Sequence, residues 1–301
     1  PVKILTVNDF FTKHIAVLKT EKRNGYASSV LQTYNSLLKF NQHLNIYFSD
    51  IDITWLKNYE LWLRKGELKD NTIGIRFRTL RAVYNLAIEE KIVKAEHYPF
   101  KRYKVSKLHQ KTAKRSITKA EINAVINYDV TDKDKYTILA IDLFTYSYLM
   151  GGINFVDIAY LTIDNIIGNQ IVYLRKKTKK QIKFPIHQKA LEIHKKYWTN
   201  ERYIFPILLS YHTTEQQKLN RIHKVITKIN KKLKEIGKEL NIPINLTTYV
   251  ARHSYATVLK RSGVSTSIIS ESLGHSSEKI TQIYLDSFEN SQIDEAMKNL
   301  L

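Results

Sequence analysis

The 301-residue sequence lacks cysteine, which excludes disulfide bonds and thiolate metal sites. It also lacks an apolar run long enough to span a bilayer and a signal peptide, so we expect no membrane association. Tandem repeats and low-complexity segments are absent as well. The sequence begins with Pro1 and not with methionine, so we expect a trimmed chain, and whether a further N-terminal module precedes it stays open.

Acidic residues are scarce relative to basic ones. Asp and Glu number 28 against 48 Lys and Arg, a formal net charge of +20. An excess of this size indicates a polyanionic partner and is larger than a merely soluble basic surface requires. The length allows two ordinary domains, and a hydrophobic content of 43% is typical of a globular protein.

Residues 1–100 show apolar side chains at helical spacing and no strand signals, which predicts a small helical bundle. Asn8 is the predicted N-cap of the first helix. On the fourth helix, Arg76, Arg78 and Arg81 lie on the side away from its apolar residues. We interpret them as a DNA-binding face, the alternative being a solvated helix side. The predicted helices cover 7–20, 26–44, 53–65 and a stretch starting near residue 71.

The stretch 101–119 contains eight Lys or Arg and no acid. No apolar periodicity is evident, so we predict an extended basic linker over residues 101–115. Such dense charge repels itself unless a polyanion neutralises it, and we therefore expect Lys101, Arg102 and Lys104 to lie along DNA phosphates. A solvated connector is the alternative.

Residues 116–301 are predicted to form a second, mostly α domain. Thr118 and Glu121 have the spacing of a capping box, and a helix over 133–150 ends at two glycines. Asn154 then caps a short helix. Two β-prone runs, 170–175 and 181–186, flank a basic turn and predict an antiparallel hairpin. The predicted fold class is thus mainly α, with a helical bundle followed by an α domain that carries a small β-hairpin.

The stretch 251–288 carries side chains suited to breaking a DNA strand without a metal. Tyr284 is a candidate nucleophile, although one of nineteen tyrosines carries little information alone. Arg252 suits phosphate because its planar guanidinium is always charged. A helix-end salt bridge is the alternative role for Arg252.

Three further side chains fit the same chemistry. His275 is able to donate to a phosphate oxygen or to take the Tyr284 proton, the alternative being a simple helix-capping turn. Lys177, in the basic turn, is a candidate to protonate the leaving 5′ oxygen, and a solvated turn of like charges is the alternative. Arg175 lies two residues earlier, on the same face of a strand, and is expected to reach the same phosphate.

The ordered set formed by Lys177 and the motifs ARHSYAT, LGHSS and TQIYL resembles the catalytic domain of the tyrosine recombinase, or phage integrase, family. NFVDIAYL is similar to the branch found in conjugative transposons and related mobile elements. The resemblance covers essentially the whole chain. It implies a core-binding DNA domain over residues 1–100 and a catalytic domain over 116–301.

The resemblance implies that the tyrosine attacks the scissile phosphate, forms a 3′-phosphotyrosyl link and releases a 5′ hydroxyl. Exchange through a Holliday junction follows, with no metal, nucleotide or other cofactor. Tyr284 is then the nucleophile, Arg252 the second arginine, His275 the later histidine and Lys177 the hairpin lysine.

Two positions depart from the family pattern. Asn154 stands where the first arginine is expected, in NFVDIAYL, with Asp157 at the acidic position. We hypothesise that Arg175 supplies the missing guanidinium. Tyr249 stands where the family often has histidine; a phenol is able to donate to phosphate but is a poor general base.

By the same resemblance we expect double-stranded DNA as partner, a homo-tetramer with two protomers per site, and accessory DNA-bending proteins. The location expected is the bacterial cytoplasm, on the nucleoid when DNA is bound. The tail, 290–301, is amphipathic and expected to dock onto an adjacent protomer, the alternative being packing on its own domain. A non-catalytic DNA-binding protein and a type IB topoisomerase are the alternative functions.

Overall fold

The computed structural model describes residues 5–110, 115–199, 201–282 and 285. The chain divides into two compact units, residues 1–112 and 113–301. Each unit has its own hydrophobic core. Within the described ranges, no helix is long and apolar enough to cross a membrane.

The described part of the first unit is helical throughout. Its α-helices pack their apolar faces around Phe10, Leu37, Tyr59 and Phe77, all of which are buried. Short 3-10 turns connect and follow them. The helices are α1 (Val7–Thr20), α2 (Asn24–Asn41), α3 (Ile53–Lys65) and α4 (Asp70–Glu89).

The N-cap of α1 is Thr6, so the prediction of Asn8 was wrong. The Thr6 hydroxyl accepts from the Asp9 backbone N–H at 3.1 Å, and the Asp9 carboxylate accepts from Thr6 in return. A capping box of this kind satisfies two N–H groups at the helix start. Asn8 lies inside the helix, where its side-chain oxygen accepts from the Tyr34 hydroxyl at 2.7 Å.

The basic stretch after α4 is not an extended linker over its first ten residues. Two 3-10 turns, Pro99–Lys101 and Val105–Leu108, fold it back onto the bundle. The physical reason is the apolar residues interspersed among the cations, which are buried in the core of this unit: Phe100, Tyr103, Val105 and Leu108.

Glu60 of α3 anchors this exit segment, residues 99–110. Its carboxylate accepts from the Tyr103 hydroxyl and from Lys107 Nζ, the latter at 2.7 Å. Arg64 adds an ion pair at 3.0 Å, and the Tyr103 ring stacks on Phe77 with centroids 4.8 Å apart. The segment is therefore held by stacking and by charge-assisted hydrogen bonds around one half-buried carboxylate.

The second unit surrounds the long helix α6 (Lys135–Leu149), which is buried over most of its length. The Thr118 capping box starts α5 (Lys119–Ile126), as predicted, and Gly151 and Gly152 follow α6 with positive φ angles of 69° and 66°. The remaining helices are α7 (Phe155–Ala159), α8 (Gln188–Tyr197), α9 (Glu215–Glu239), α10 (Thr248–Arg261), α11 (Thr266–Ser272) and α12 (Glu278–Gln282).

A three-stranded antiparallel sheet contains the predicted hairpin. Its order is β1 (Ile166–Ile167), β2 (Gln170–Leu174) and β3 (Gln181–Pro185). In the β2–β3 register Leu174 pairs with Gln181, so residues 175–180 form the connection. The mainly α fold with a small antiparallel sheet is thereby confirmed.

We predict that Glu60→Ala lowers the free energy of unfolding of the first unit by about 1–2 kcal/mol, because a half-buried carboxylate with three partners is lost. Urea unfolding followed by the fluorescence of Trp55 and Trp62 measures the change. The matched control is Glu90→Ala, which removes an exposed pair with Lys13 at 3.6 Å and should cost less than about 0.5 kcal/mol. Equal losses in both variants would contradict the anchoring role of Glu60.

Candidate active site

The turn that follows α11 ends the helix in a Schellman motif. The Gly274 N–H donates to Glu271 O at 2.8 Å, and the His275 N–H donates to Ser270 O at 3.0 Å. Gly274 has a φ of 62°. This pattern matches the 6→1 and 5→2 bonds of a glycine C-cap. The LGH sequence thus forms a capping turn that also places His275.

A side chain at position 274 would force its neighbours to move. A Cβ there would lie 2.7 Å from Ile182 Cδ1 and 3.3 Å from Arg175 Cδ. The glycine therefore allows the hairpin and the turn to approach each other closely, in addition to adopting the left-handed conformation.

Arg252, on α10, is 2% exposed. Its Nη1 donates to Gly152 O and its Nη2 to Leu273 O, both at 2.6 Å, and Nη2 also lies 3.2 Å from His275 Nε2. A Cβ on Gly152 would be 3.1 Å from Arg252 Cγ, so the glycine makes room for this side chain. The main chain thus fixes a buried guanidinium beside the imidazole.

The next two carbonyls of the same turn, those of Gly274 and His275, accept hydrogen bonds from the hairpin connection. The donors are Arg175 and Lys180, which lie at its two ends. Arg175 is 5% exposed and its Nη1 donates to Gly274 O at 2.8 Å. Lys180 Nζ donates to His275 O at 2.6 Å. The hairpin is therefore attached to the turn through cationic donors on carbonyls at a helix C-terminus, where positive charge is favourable.

Asp157, of α7, is the acidic residue of this cluster. It is 5% exposed, accepts from the Lys176 backbone N–H at 2.8 Å, and lies 4.0 Å from Arg175 Nε. Burial raises the pKa of its carboxyl, against the backbone hydrogen bond and the nearby guanidinium groups, which lower it. Asp157 thus orients the start of the hairpin connection.

His275 is 5% exposed and is held at both ring nitrogens. Its Nδ1 is 2.8 Å from Thr281 Oγ1, and Thr281 is fully buried. Burial is the main cause that lowers the pKa of His275 to about 3, and the neighbouring cations lower it further: Arg252, Arg175, Lys177 and Lys180. The imidazole is therefore neutral at neutral pH.

The contacts of the neutral ring also determine its tautomer. A guanidinium has donors and no acceptor, so in the Arg252 contact His275 Nε2 must accept. The ring proton is then on Nδ1, where it donates to Thr281. The lone pair at His275 Nε2 accordingly accepts from Arg252 Nη2.

Lys177 lies in the turn and not in a strand. The backbone bonds Arg175 N to Lys180 O, at 2.9 Å, and Lys179 N to Arg175 O, at 2.8 Å, close the connection. Arg175 is therefore buried whereas Lys177 is exposed. The predicted strand-face relation between Arg175 and Lys177 was wrong, although Lys177 is close enough to lower the pKa of His275.

The two residues that depart from the family pattern lie at helix starts. Asn154 is half-buried at the N-cap position of α7. Tyr249 is one turn before Arg252 on α10, with its ring 4.8 Å from that of His253 in an edge-on arrangement, and it is 39% exposed. Neither position carries a charge.

The predicted nucleophile Tyr284 lies outside the described residues, and so does the predicted docking tail, 290–301. α12 ends at Gln282, two positions earlier in the sequence.

Two residues of this cluster were not identified from the sequence. Lys180 was one of several like charges in a turn, and no local pattern distinguished it. Thr281 belongs to the quoted TQIYL motif, but its hydroxyl carries no charge and its partner is six residues earlier. Contacts made by the folded turn identify both.

In the first unit, Arg78 and Arg81 are exposed on one flank of α4. Arg76 lies on the other flank, half-buried, with both Nη atoms 3.4 Å from Gln32 Oε1. The structure therefore does not place the three arginines on one face. Within the exit segment the predicted cations are all exposed: Lys101, Arg102 and Lys104.

Comparison with known proteins gives two family matches. Residues 6–105 match the phage integrase SAM-like domain, and residues 115–291 match the phage integrase family. The chain is 24% identical to tyrosine recombinase XerD of Halalkalibacterium halodurans, over 93% of each protein. It is 25% identical to XerC of Leptospira interrogans, over 93% of this chain and 89% of the relative.

Solved structures share the fold. A Tn1549 transposon integrase variant in complex with transposon right end DNA superposes with a TM-score of 0.72, at 16% identity, over 98% of this chain and 99% of the other. A lambda integrase tetramer bound to a Holliday junction gives 0.66, at 14% identity, over 94% of this chain and 78% of the other.

The second match spans more than half of the chain. The protein therefore belongs to the phage integrase family of tyrosine recombinases, enzymes that cleave and rejoin DNA. The family resemblance found in the sequence is confirmed.

We predict that lowering the pH from 7 to 4 reduces the free energy of unfolding more for the wild type than for His275→Gln. The folded pKa of about 3 is below the usual 6.5. The unfolded chain therefore binds the proton first, and stability held above pH 6.5 is lost as the pH falls. The extra loss should be on the order of 2 kcal/mol.

Urea unfolding of the full chain at several pH values measures this difference. His194 also has a pKa lowered by burial, to about 4, and adds the same loss to both proteins. Parallel pH profiles for wild type and His275→Gln would show that His275 titrates normally in the fold.

Proposed function

We propose that the protein is a site-specific DNA recombinase or integrase that forms a 3′-phosphotyrosyl intermediate on Tyr284. The observation that carries the proposal is the cluster on the Leu273–His275 turn. Two buried guanidinium groups face one buried carboxylate there, so positive charge remains even when Asp157 is ionised. A cluster of this charge favours an anion, and a phosphodiester fits the planar donors of arginine.

In the proposed cleavage step the Tyr284 oxygen attacks phosphorus while its proton passes to His275 Nε2, as Arg252 Nη2 transfers its hydrogen bond from that nitrogen to a non-bridging phosphate oxygen. The P–O5′ bond breaks, and Lys177 gives a proton to the departing oxygen. Arg252, Arg175 and the Tyr249 hydroxyl donate to the non-bridging oxygens. The 5′ hydroxyl of a partner strand then attacks the phosphotyrosyl link, and a second round resolves the Holliday junction.

We propose that Arg175 supplies the guanidinium that the family has at the position occupied here by Asn154. Its guanidinium and that of Arg252 donate to adjacent carbonyls of one turn, so both lie at the same wall of the site. The buried Nε of Arg175 has no hydrogen-bond partner in the part of the chain that the structure describes. A phosphate oxygen is an acceptor that would complete it.

We further propose that the first unit is a core-binding domain on double-stranded DNA, and that four protomers, two per site, perform the exchange. Support comes from similar structures of integrases bound to DNA, one a tetramer on a Holliday junction and one a transposon integrase. Residues 290–301 would dock onto a neighbouring protomer, and DNA-bending proteins would assist. The expected setting is a bacterial mobile element in the cytoplasm.

Two alternatives make different products. A non-catalytic DNA-binding protein is one alternative, because Asn154 replaces an arginine of the family's active site. Such a protein would form no covalent adduct. A type IB topoisomerase would form the adduct but would join no strands from different duplexes.

We predict that the wild type forms covalent adducts with nicked duplexes that carry candidate sites, and that Tyr284→Phe forms none. Denaturing gels with strands of different length measure both the adduct and the joining of two duplexes. Adducts that persist in Tyr284→Phe would refute the assignment of the nucleophile. Adducts without joined products would favour the topoisomerase.

We predict that Arg175→Ala lowers the rate of adduct formation by roughly a hundredfold or more, because a phosphate donor is lost. Arg202→Ala, which removes an exposed arginine of the same unit, is the matched control. The double variant Asn154→Arg/Arg175→Ala should recover part of the rate, since it restores a guanidinium at the family position. Normal cleavage by Arg175→Ala would exclude the replacement.

We predict that the exit segment of the first unit binds DNA phosphates. Replacing Lys101, Arg102 and Lys104 by alanine should reduce the slope of log affinity against log salt by about 3, since each phosphate contact contributes about 0.9. The control replaces three other exposed cations of the same unit: Lys13, Lys19 and Lys39. Equal reductions in both triple variants would show a general charge effect and no specific contact.

A further inference from the structure

We propose that Lys176 is a positioning residue for Lys177, and that it acts by binding its ammonium group to the face of the Tyr160 ring. This inference rests on the proposed function, because it concerns the lysine that gives a proton to the departing 5′ oxygen. Two neighbouring lysines thereby have different tasks. One takes part in the reaction, and the other fixes the chain from outside it.

Lys177 has no anchor of its own. Its side chain is exposed, and within the described ranges it forms no hydrogen bond or ion pair. A proton donor must come within hydrogen-bond reach of the oxygen that it protonates. A flexible four-carbon side chain reaches one point reproducibly only where its main chain is fixed. The neighbours of Lys177 in the hairpin connection therefore determine where its ammonium group acts.

Lys176, the preceding residue, is held at its main chain and at its side chain. Its backbone N–H donates to Oδ1 of the buried Asp157 at 2.8 Å. Its Nζ lies 3.7 Å from the centroid of the Tyr160 ring, well within the roughly 6 Å over which an aromatic face attracts a cation. The two contacts fix the chain immediately before Lys177.

The contact with the ring is partly shielded from water. It lies in a cavity of about 520 Å³ that is lined by Lys176, Tyr160 and Glu215, among others. The Tyr160 hydroxyl is 3.4 Å from Glu215 Oε2, and Glu215 pairs with Lys218 at 2.9 Å. Burial is the main cause that lowers the pKa of Lys176. A cation–π contact is stronger where water is partly excluded, so this one is suited to holding the connection.

The two lysines have different surroundings. Lys177 is close enough to His275 to lower its pKa. The cavity that receives Lys176 is lined, among the described residues, by none from the turn 273–275. Arg175 attaches the connection to that turn, so Lys176 supplies a second attachment at a different surface of the same unit. Loss of one attachment should let the connection open locally.

A substrate with a better leaving group separates the positioning of Lys177 from general damage to the site. When sulfur replaces the bridging 5′ oxygen, the P–S bond breaks and a thiolate departs. A thiol has a pKa of roughly 8.5, so the thiolate leaves without the proton that an alkoxide needs. A variant whose only fault is a misplaced proton donor should therefore regain its rate on the sulfur substrate.

The test compares Lys176→Met, Lys176→Arg and Lys179→Met in the full chain. Methionine keeps an unbranched side chain and removes the charge, whereas arginine keeps a cation for the Tyr160 ring. Lys179→Met is the matched control because it removes one charge from the same connection. The Lys179 side chain is exposed and forms no hydrogen bond or ion pair in the part of the chain that the structure describes. Thermal unfolding verifies that each variant folds.

The first readout needs no DNA. Hydrogen–deuterium exchange of the backbone amides of residues 175–180 reports local opening of the connection. We expect faster exchange there in Lys176→Met and in Tyr160→Leu, which removes the ring. Exchange should stay at the wild-type rate in Lys176→Arg, in Tyr160→Phe, which keeps the ring, and in Lys179→Met. Wild-type exchange in Lys176→Met would overturn the positioning role.

The second readout is the single-turnover rate of adduct formation, at saturating protein, on nicked duplexes with a bridging 5′ oxygen or sulfur. With oxygen, we expect Lys176→Met to be slower by roughly threefold to thirtyfold, the range of a partly desolvated cation–π contact. With sulfur, it should approach the wild type, as should Lys177→Met. Lys176→Arg and Lys179→Met should stay near the wild type on both substrates. An equal defect of Lys176→Met on both, or none with oxygen, would overturn the proposal.

Two further outcomes concern the proposed function itself. A defect of Lys177→Met that persists with sulfur would exclude Lys177 as the proton donor. Adducts formed by Tyr284→Phe would exclude the nucleophile. Either outcome overturns the proposed function and leaves the exchange result, which tests the attachment of the connection through Lys176 alone.

Discussion

The active-site region depends on the carbonyl groups at the end of one short helix. The Schellman turn after α11 directs three successive carbonyls, of residues 273–275, toward cationic side chains from α10 and from the hairpin connection. Neutral carbonyl dipoles accept from all three cations, and the buried carboxylate of Asp157 faces one of them, Arg175. The site is thus rigid and electropositive before any DNA arrives, which is what electrostatic preorganisation requires.

The first unit presents its cations in a different way. The exit segment buries its apolar residues and is bound to Glu60, while the cations between these anchors stay exposed. Gly74 gives this segment room, since a Cβ there would lie 3.3 Å from Leu108 O and 3.1 Å from Arg78 Nη1. Arg78 therefore adjoins the segment. Exposed cations on a fixed backbone are suited to contacts with many phosphates. The two buried arginines of the second unit, Arg175 and Arg252, are suited to binding a single phosphate.

Much of this organisation follows from local sequence signals. The Thr118 capping box, the paired glycines after α6 and the hairpin were predictable because each depends on residues close together in the sequence. The N-cap of α1 was misjudged because Thr6 and Asn8 are both good caps, and the reciprocal Asp9 contact decides between them. The exit segment was predicted to be an extended linker because its buried residues do not recur at a regular helical or strand spacing. Short 3-10 turns do not require such a spacing.

The contacts within the site were less predictable. Arg175 and Lys177 are two residues apart, but the chain turns between them, so their side chains differ in exposure. The folded connection shows that Arg175 is buried and Lys177 is exposed. Lys180 and Thr281 acquire their roles from partners on another element or across a turn. Charge and motif therefore identified the cluster, whereas burial and hydrogen bonding assigned the individual roles.

The proposed chemistry requires the buried guanidinium of Arg252 to neutralise charge on the scissile phosphate. The most direct measurement compares wild type and Arg252→Ala on a normal phosphate and on a methylphosphonate, in which one charged oxygen is a neutral methyl group. We expect Arg252→Ala to fail on the phosphate and to regain much of its tyrosyl adduct formation on the methylphosphonate. An equal defect on both substrates would contradict it.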